Sequence, residues 1–510
     1  MAKGRKRRSL ILWLSIPFAG LLALLALMAL RLMLLPDTAH SEKQQAIAGA
    51  MTGAMAGAYP HPIDGEAALM RLSQALQYQT ISTENPADRD ASAFAAFHAF
   101  LADHFPLVHA RAERIDLGSD ALFFKLAGSQ PTLPGSVLMA HQDVVPIEPG
   151  TDQDWQHPPF SGAIADGYIW GRGAMDDKGA LLAILEALEL LLADGFEPER
   201  SLWLAFGADE EVGGENGAVK IATWLSEHDI PIAFALDEGL AVLHGITPGV
   251  GAPVAMVGLA EKGSMTIRLS AREDGGHSSM PPRISAPGRL AKALTRLERN
   301  PMPASLDGIP AQMLVRLAPH MNFPLNLITA NLWLTEPLVI DQFSAAPSSN
   351  AMIRTTTAIT MLQAGFKSNV LAQTAEATIN FRLRPGDSGQ DILDHVRRVI
   401  DDEAITIHGT DEEAQPASPI SSTQSAAFAI LERSIAKSFP DALLAPGLVI
   451  AATDGRHFTK AADDVYRFSP MRLHPDDLAR LHGTNERLGV DNYLEMISFY
   501  AELIKAADQN

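Results

Sequence analysis

The chain has 510 residues and a formal net charge of −20; 47% of its residues are hydrophobic and 20% are charged. This length favours two or more domains, the composition excludes a disordered chain or a many-span membrane protein, and the negative charge argues against a nucleic-acid partner. The chain contains no cysteine, which excludes disulfides and thiolate-bound metals. Any metal must therefore be held by His, Asp and Glu.

The N-terminus combines basic residues with a long apolar run. Lysines and arginines at positions 3–8 precede the run, which extends from Ser9 to Leu30. About 20 helical residues cross a bilayer, and positive charge before them keeps the N-terminus in the cytoplasm. Residues 1–35 are therefore predicted to form a cytoplasmic stub and a single transmembrane helix, with the folded body on the periplasmic or extracellular side. A cleaved signal peptide is the alternative, although its apolar part is usually shorter, about 7–15 residues.

After a predicted linker at 36–60, the chain alternates between helices and strands up to residue 257. Predicted helices lie at 67–78, 91–105, 179–193 and 218–227, and predicted strands at 136–140, 201–206 and 232–236. This alternation predicts an α/β domain whose sheet is mostly parallel and has helices on both faces.

A different pattern begins near residue 258. Residues 264–271 and 375–383 alternate between apolar and polar side chains, which is typical of half-exposed strands. We therefore expect an inserted α+β domain at 258–411. Residues 412–510 return to the α/β type and complete the first domain.

Acidic and imidazole side chains follow three predicted strands and open one predicted helix. They are His141 with Asp143, Asp209 with Glu210 and Glu211, Asp237 with Glu238, and Asp176 with Asp177. The ligand crevice of an open α/β sheet lies beyond the carboxyl ends of its strands, so these groups should converge. Clustered carboxylates repel one another unless a cation neutralises them, and carboxylates with histidine suit zinc. One of the adjacent Glu210 and Glu211 could bind metal while the other acts as a base.

Each motif alone also has a non-functional interpretation. Asp176 could cap a helix, which is a common use of Asp at that position. His482 could belong to a plain loop, and Asp237 to a turn. The prediction of a metal site depends on their joint occurrence at strand ends.

The order of these motifs resembles a known family. The segments are LMAHQDVVP (138–146), WQHPPFSGAIADGYIWGRGAMDDKG (155–179), FGADEEVGGENGA (206–218), ALDEG (235–239), GGHSSMPP (275–282), SNVL (368–371), NFRLRPGD (380–387), TDGRHF (453–458) and HGTNE (482–486). Together they resemble the co-catalytic zinc metallopeptidases that include carboxypeptidase S, aminoacylase and glutamate carboxypeptidase. TDGRHF and HGTNE point to the branch of carboxypeptidase S and the N-acyl amino acid hydrolases.

This resemblance implies two Zn²⁺ ions per chain, for which Co²⁺ or Mn²⁺ could substitute. The implied ligands are His141, Asp176 and Asp237 for one ion and Asp176, Glu211 and His482 for the other, with Asp176 bridging. The other implied roles are Glu210 as general base, Asp143 as the residue that orients His141, His277 as oxyanion donor, and Asn369, Arg382 and Arg456 as substrate-binding residues. Arg456 would bind a terminal carboxylate, and the peptide between Asp176 and Asp177 would be cis.

The implied fold is a zinc-exopeptidase-like catalytic domain with an inserted lid or dimerisation domain. The implied reaction is hydrolysis of an amide or peptide bond next to a residue with a free carboxylate, by a dipeptide carboxypeptidase or an N-acyl amino acid hydrolase. A deacylase of one metabolic intermediate is an alternative. An inactive, membrane-tethered binding protein is another, but such a protein would have no need to retain Glu210.

A proline-containing stretch from Asn300 to Arg354 departs from the family pattern. Smaller members form homodimers through the inserted domain, and each lends its partner the histidine that matches His277. A large insertion could instead cover the site within one chain, so both arrangements stay open.

Overall fold

The computed structural model describes residues 22–35 and 63–509. The described helices are α1 (22–34), α2 (Gly65–Ala75), α3 (Ala91–His104), α4 (Pro106–Arg111), α5 (Lys178–Ala193), α6 (Ala218–Glu227), α7 (Ala286–Arg299), α8 (Ile309–Leu317), α9 (Leu325–Thr329), α10 (Leu332–Ser344), α11 (Pro347–Ile353), α12 (Gly389–Ile400), α13 (Ala426–Ser438) and α14 (Val490–Asp508). The described strands are β1 (Glu113–Ile115), β2 (Leu122–Leu126), β3 (Gly135–His141), β4 (Ala163–Ala165), β5 (Tyr168–Trp170), β6 (Leu202–Gly207), β7 (Ile232–Leu243), β8 (Val254–Glu261), β9 (Gly263–Arg272), β10 (Gly276–His277), β11 (Thr356–Ala364), β12 (Val370–Leu371), β13 (Thr374–Leu383), β14 (Ile405–His408), β15 (Leu443–Val449), β16 (Asp464–Leu473) and β17 (Arg487–Gly489).

The large sheet has eight strands in the order β1-β2-β6-β3-β7-β16-β8-β15. Its centre is parallel: β3 pairs in parallel with β6 and β7, and β16 does so with β7. Every residue of β3 and β6 is buried, because helices cover both faces of a parallel sheet. Helices α5 and α14 pack on one face and α6 on the other. The predicted arrangement of sheet and helices is therefore present, with antiparallel pairings on both sides of the parallel centre: β1–β2 and β2–β6 on one side, and β8 with β7 and β16 on the other.

A small four-stranded sheet is built from the middle of the chain. Its order is β11-β13-β9-β14, and its pairings are antiparallel. Alternate residues of β9, such as Met265 and Ile267, point into a core shared with α7 and α12. Both helices have side-chain caps, from Ser285 and from Ser388, which fix where they begin.

The stretch that departs from the family pattern forms helices α8 to α11. We call residues 304–353 the helical insertion. Its apolar side chains, among them Leu314 and Leu317, pack against Val254, Met256 and Ala445 of β8 and β15. The helical insertion therefore covers one edge of the large sheet.

The prediction of a membrane anchor is wrong. Among the described residues, no helix combines the length and the apolar character needed to cross a membrane. Of the run from Ser9 to Leu30, residues 9–21 lie outside the described residues, as does the predicted linker at 36–60. The described part belongs to α1 (22–34). This helix contacts the helical insertion, where Asn331 Nδ2 donates to the Met28 carbonyl oxygen (3.2 Å). The membrane localisation that depended on the anchor is withdrawn with it.

Candidate active site

The carboxyl ends of the central strands bring acidic and imidazole groups together. His141 is the last residue of β3, and its Nε2 lies 2.8 Å from Asp176 Oδ1. Asp176 Oδ2 lies 3.0 Å from His482 Nε2, which is itself 3.3 Å from Glu211 Oε2. One carboxylate thus stands between two imidazoles. We call these residues, together with Glu238, the ligand cluster.

The structure does not bring Asp237 to the ligand cluster. Its Oδ2 accepts a hydrogen bond from the Gly455 amide (2.5 Å), whereas Glu238 Oε1 lies 3.6 Å from His141 Nε2. Adjacent strand residues point to opposite faces, and β7 continues to Leu243 instead of ending at Leu236 as predicted. The register of β7 with β16 shifts between Asp237 and Leu240, and at this irregularity Glu238 lies beside His141 while Asp237 accepts from Gly455. Asp237 stays a ligand that the family resemblance implies, and Glu238 is the acidic residue that the structure places beside His141.

The donor atoms fit a bound cation. Two groups have ligand atoms within 4.8 Å of one another, namely His141 with Asp176 and Glu211, and His141 with Asp177 and Glu238. Both carboxylate oxygens of Asp177 and one of Glu211 are buried without a hydrogen-bond partner among the described residues. Buried carboxylates are costly unless paired, and imidazole with carboxylates is a set that zinc accepts. The peptide between Asp176 and Asp177 is cis, as the resemblance implies.

The pKa values of residues in and beside the ligand cluster are raised by the excess of buried negative charge. Burial, followed by the neighbouring Asp176 and Glu211, raises the pKa of Glu210 to about 8. Burial likewise raises the pKa of Glu238 well above its ordinary value. Hydrogen bonds to Asp176 and Glu211 raise the pKa of His482 to about 10. Buried negative charge thus draws protons into the site, and a metal cation would satisfy the same demand.

Asp143 is fully buried and holds two parts of the site. Its Oδ1 and Oδ2 accept the amides of Glu210 and Glu211, both at 3.2 Å. His141 Nδ1 lies 2.9 Å from the Asp143 carbonyl oxygen and 3.5 Å from its Oδ1. Asp143 therefore fixes the orientation of His141, as metal-bound histidines require, and also the loop of the two glutamates.

A buried ion pair, to which the sequence analysis assigned no role, joins the two loops on either side of the ligand cluster. Arg172 Nη1 lies 2.5 Å from Glu486 Oε2, and both side chains are almost completely buried. Glu486 Oε1 accepts the amides of Met175 (2.8 Å) and Asp176 (3.3 Å). Arg172 Nη2 donates to the His482 carbonyl oxygen (3.0 Å). The pair thereby sets the spacing of Asp176 and His482.

Replacing Glu486 with Gln should lower the free energy of unfolding by about 3 kcal/mol, because it leaves the Arg172 charge buried without a partner. Urea unfolding at pH 8 measures this loss, since burial raises the pKa of Glu486 to about 7. The matched control is Asp394→Asn, which removes an exposed ion pair with Arg397 and should change stability little. Equal effects of the two substitutions would contradict the role assigned to the buried pair.

The predicted substrate-binding residues are divided between two regions. Arg456 is half-buried, and its Nη2 donates to the Gly213 carbonyl oxygen (3.3 Å), just after the turn that contains Glu210. His277 and Asn369 lie on neighbouring segments, where the Ser278 amide donates to the Asn369 carbonyl oxygen (3.2 Å). Both are exposed, as is Arg382 on β13. Within the described parts of the chain, no hydrogen bond joins these three to the ligand cluster.

Similar proteins share most of the chain. It is 44% identical over 443 residues to a probable carboxypeptidase S-like 2 of Dictyostelium discoideum, covering 86% of this chain and 85% of that protein. It is 41% identical over 441 residues to N-fatty-acyl-amino acid synthase/hydrolase PM20D1 of Xenopus tropicalis, with the same coverage of both.

Solved structures share the fold. The M20 family metallo-carboxypeptidase Sso-CP2 of Sulfolobus solfataricus superposes with a TM-score of 0.60 at 18% identity, covering 86% of this chain and 99% of that chain. Human carnosine dipeptidase 1 also superposes with a TM-score of 0.60, at 16% identity, covering 87% of this chain and 96% of that chain. A family model described as peptidase family M20/M25/M40 matches residues 137–506. With that match over most of its length, a metal-type cluster at the strand ends and close relatives that are peptidases or acyl-amino acid hydrolases, the chain belongs to peptidase family M20/M25/M40 and is an amide-bond hydrolase.

Proposed function

We propose that this enzyme hydrolyses the amide bond that joins an acyl or aminoacyl group to an amino acid with a free α-carboxylate. The observation that carries the proposal is the convergence of two imidazoles and two further carboxylates, Glu211 and Glu238, around Asp176, with the carboxyl group of Glu210 close by. The similarity to a carboxypeptidase S-like protein and to N-fatty-acyl-amino acid synthase/hydrolases supports this substrate class.

We propose two Zn²⁺ ions as the cofactors. One would be held by His141, Asp176 and Glu238, and the other by Asp176, Glu211 and His482. When bound, the ions would neutralise the carboxylates and polarise the carbonyl oxygen of the scissile amide. The unpaired oxygens of Asp177 and Glu211 support a site of this charge.

The protein's own groups would then move the proton and hold the substrate. Glu210 would accept a proton from the attacking water and pass it to the nitrogen of the departing amino acid. Arg456 would bind the α-carboxylate in a bidentate manner, next to the turn that contains Glu210. His277, Asn369 and Arg382 would join the site when the small sheet closes over it, with His277 donating to the oxyanion.

Homodimer formation through the small sheet is part of the proposal. Strand β11 pairs with β13 alone among the described strands, so its other edge is free to pair. Met361, Leu362 and Phe366, on or near this strand, are exposed. A second copy could cover these apolar side chains and extend the sheet.

Metal content and turnover of the purified full chain test the function. We expect release of an amino acid from an N-acyl amino acid or a Gly-X dipeptide. The reaction should be slower with the matching amide, in which a carboxamide replaces the α-carboxylate of the amino acid. A chelator should abolish turnover, and added Zn²⁺ should restore it. Bound metal without turnover of these substrates would refute the substrate class, while metal-independent turnover would refute the metal centre. The ratio between the two substrate types distinguishes an acylase from a dipeptidase, or from a deacylase of one metabolite.

A further inference from the structure

The chain crosses from the large sheet to the small sheet through a narrow connection. Strand β8 ends at Glu261 and β9 begins at Gly263, while the returning chain runs alongside. Ser264 and Gln415 exchange two backbone hydrogen bonds of 2.8 Å. A Cβ atom on Gly263 would lie 2.2 Å from the Gln415 carbonyl oxygen, so the two crossing segments pack backbone against backbone. A rotation of the small sheet would therefore act directly on this crossing.

Glu261, the last residue before the crossing, forms hydrogen bonds both with the returning segment and with residues of the large-sheet domain. Its amide donates to Ser418 Oγ on the returning segment (2.9 Å). Its buried Oε2 accepts the amide (3.0 Å) and the hydroxyl (2.8 Å) of Thr453, and also Arg467 Nε (3.0 Å). The neighbouring Lys262 instead anchors the crossing to the helical insertion, since its Nζ donates to the Ala351 carbonyl oxygen (3.0 Å).

Thr453 begins a loop that contacts the turn containing Glu210. We call residues 453–458, which include Arg456, the carboxylate loop. The Gly455 amide is held by Asp237 Oδ2, and Arg456 Nη2 donates to the Gly213 carbonyl oxygen at the end of the turn that contains Glu210. A continuous set of hydrogen bonds thus runs from the crossing, through Glu261 and the carboxylate loop, to that turn.

We propose that Glu261 is a positioning residue that couples the orientation of the small sheet to the carboxylate loop. When the crossing rotates, the bonds from Glu261 to Thr453 shift the loop, so closure of the small sheet and binding of the substrate carboxylate by Arg456 are linked. The carboxylate part of this inference rests on the proposed function. A stabilising ion pair with Arg467 alone would not require the two bonds to Thr453.

The first test compares Thr453→Val with Thr453→Ser in the full-length enzyme. Valine keeps the shape of threonine but removes the hydroxyl that donates to Glu261, whereas serine retains it. We expect Thr453→Val to raise KM for the N-acyl amino acid about tenfold with little change in kcat, because one hydrogen bond is lost. The KM for the matching amide, which lacks the carboxylate, should stay unchanged, and Thr453→Ser should behave like the wild type. A KM increase shared by both substrates, or no increase at all, would overturn the coupling.

A second measurement does not depend on activity. Hydrogen–deuterium exchange should become faster in the carboxylate loop of Thr453→Val and Glu261→Gln than in the wild type, and in Glu261→Gln also in the crossing segment. If Glu261→Gln does not fold, because it removes the charge beside buried Arg467, the exchange measurement on Thr453→Val alone tests the inference. Unchanged exchange in the loop would refute the inference. An inactive wild type that still shows these differences would refute the proposed function alone.

Discussion

Replacing Glu210 with Gln should lower kcat about 1,000-fold while the protein keeps its metal. The substitution preserves the shape of the side chain but removes its ability to accept a proton, and general bases contribute roughly 100- to 10,000-fold to catalysis. Glu210 belongs to neither group of clustered ligand atoms, and its amide is held by Asp143 Oδ1, so the turn should stay in place. Steady-state kinetics and metal analysis on the same preparation measure both effects.

The control for this experiment is Glu215→Gln, an exposed glutamate on the same loop, which should leave kcat and metal content unchanged. If Glu210→Gln turned over substrate normally, the base would have to be another group. If it lost metal together with activity, Glu210 would be a ligand rather than a base.

The central sheet could be predicted because its strands contain short apolar runs. Residues 137–140 and 202–206 are uninterrupted apolar runs, and in the structure β3 and β6 are buried along their whole length. The rule that ligands bind beyond the carboxyl ends of parallel strands then places His141 and Glu211 together. These two inferences need only local sequence, which explains why they agree with the structure.

Contacts between distant segments could not be predicted in the same way. Arg172 and Glu486 are separated by 314 positions, and each could be an ordinary surface residue until the fold brings them together. The N-terminal apolar run also makes a contact with a distant segment. Its described part belongs to α1, where Met28 is buried and its carbonyl oxygen accepts from Asn331 of the helical insertion, and hydrophobicity alone does not predict such a contact.

The choice between Asp237 and Glu238 shows how much one residue of register matters. Both follow the same apolar run, which predicts a strand that ends before them. The strand continues as β7 to Leu243 but is irregular between Asp237 and Leu240; there Glu238 Oε1 lies 3.6 Å from His141 Nε2, while Asp237 Oδ2 accepts the Gly455 amide. The sequence does not show which of the two side chains faces His141, because a strand that is buried on both faces does not alternate between apolar and polar residues.

Glu238→Gln should therefore remove one of the two proposed metal ions and lower kcat by about 1,000-fold or more, because the charge that opposes the cation is lost. Asp237→Asn is the matched control. Its amide oxygen can still accept the Gly455 hydrogen bond, so both ions and most of the activity should be retained. Metal per chain, measured by elemental analysis, and kcat distinguish the two variants. The opposite result, with metal lost only in Asp237→Asn, would support the ligand set that the family resemblance implies. Asp237, which accepts the Gly455 amide in this structure, would then have to turn towards His141 when metal binds.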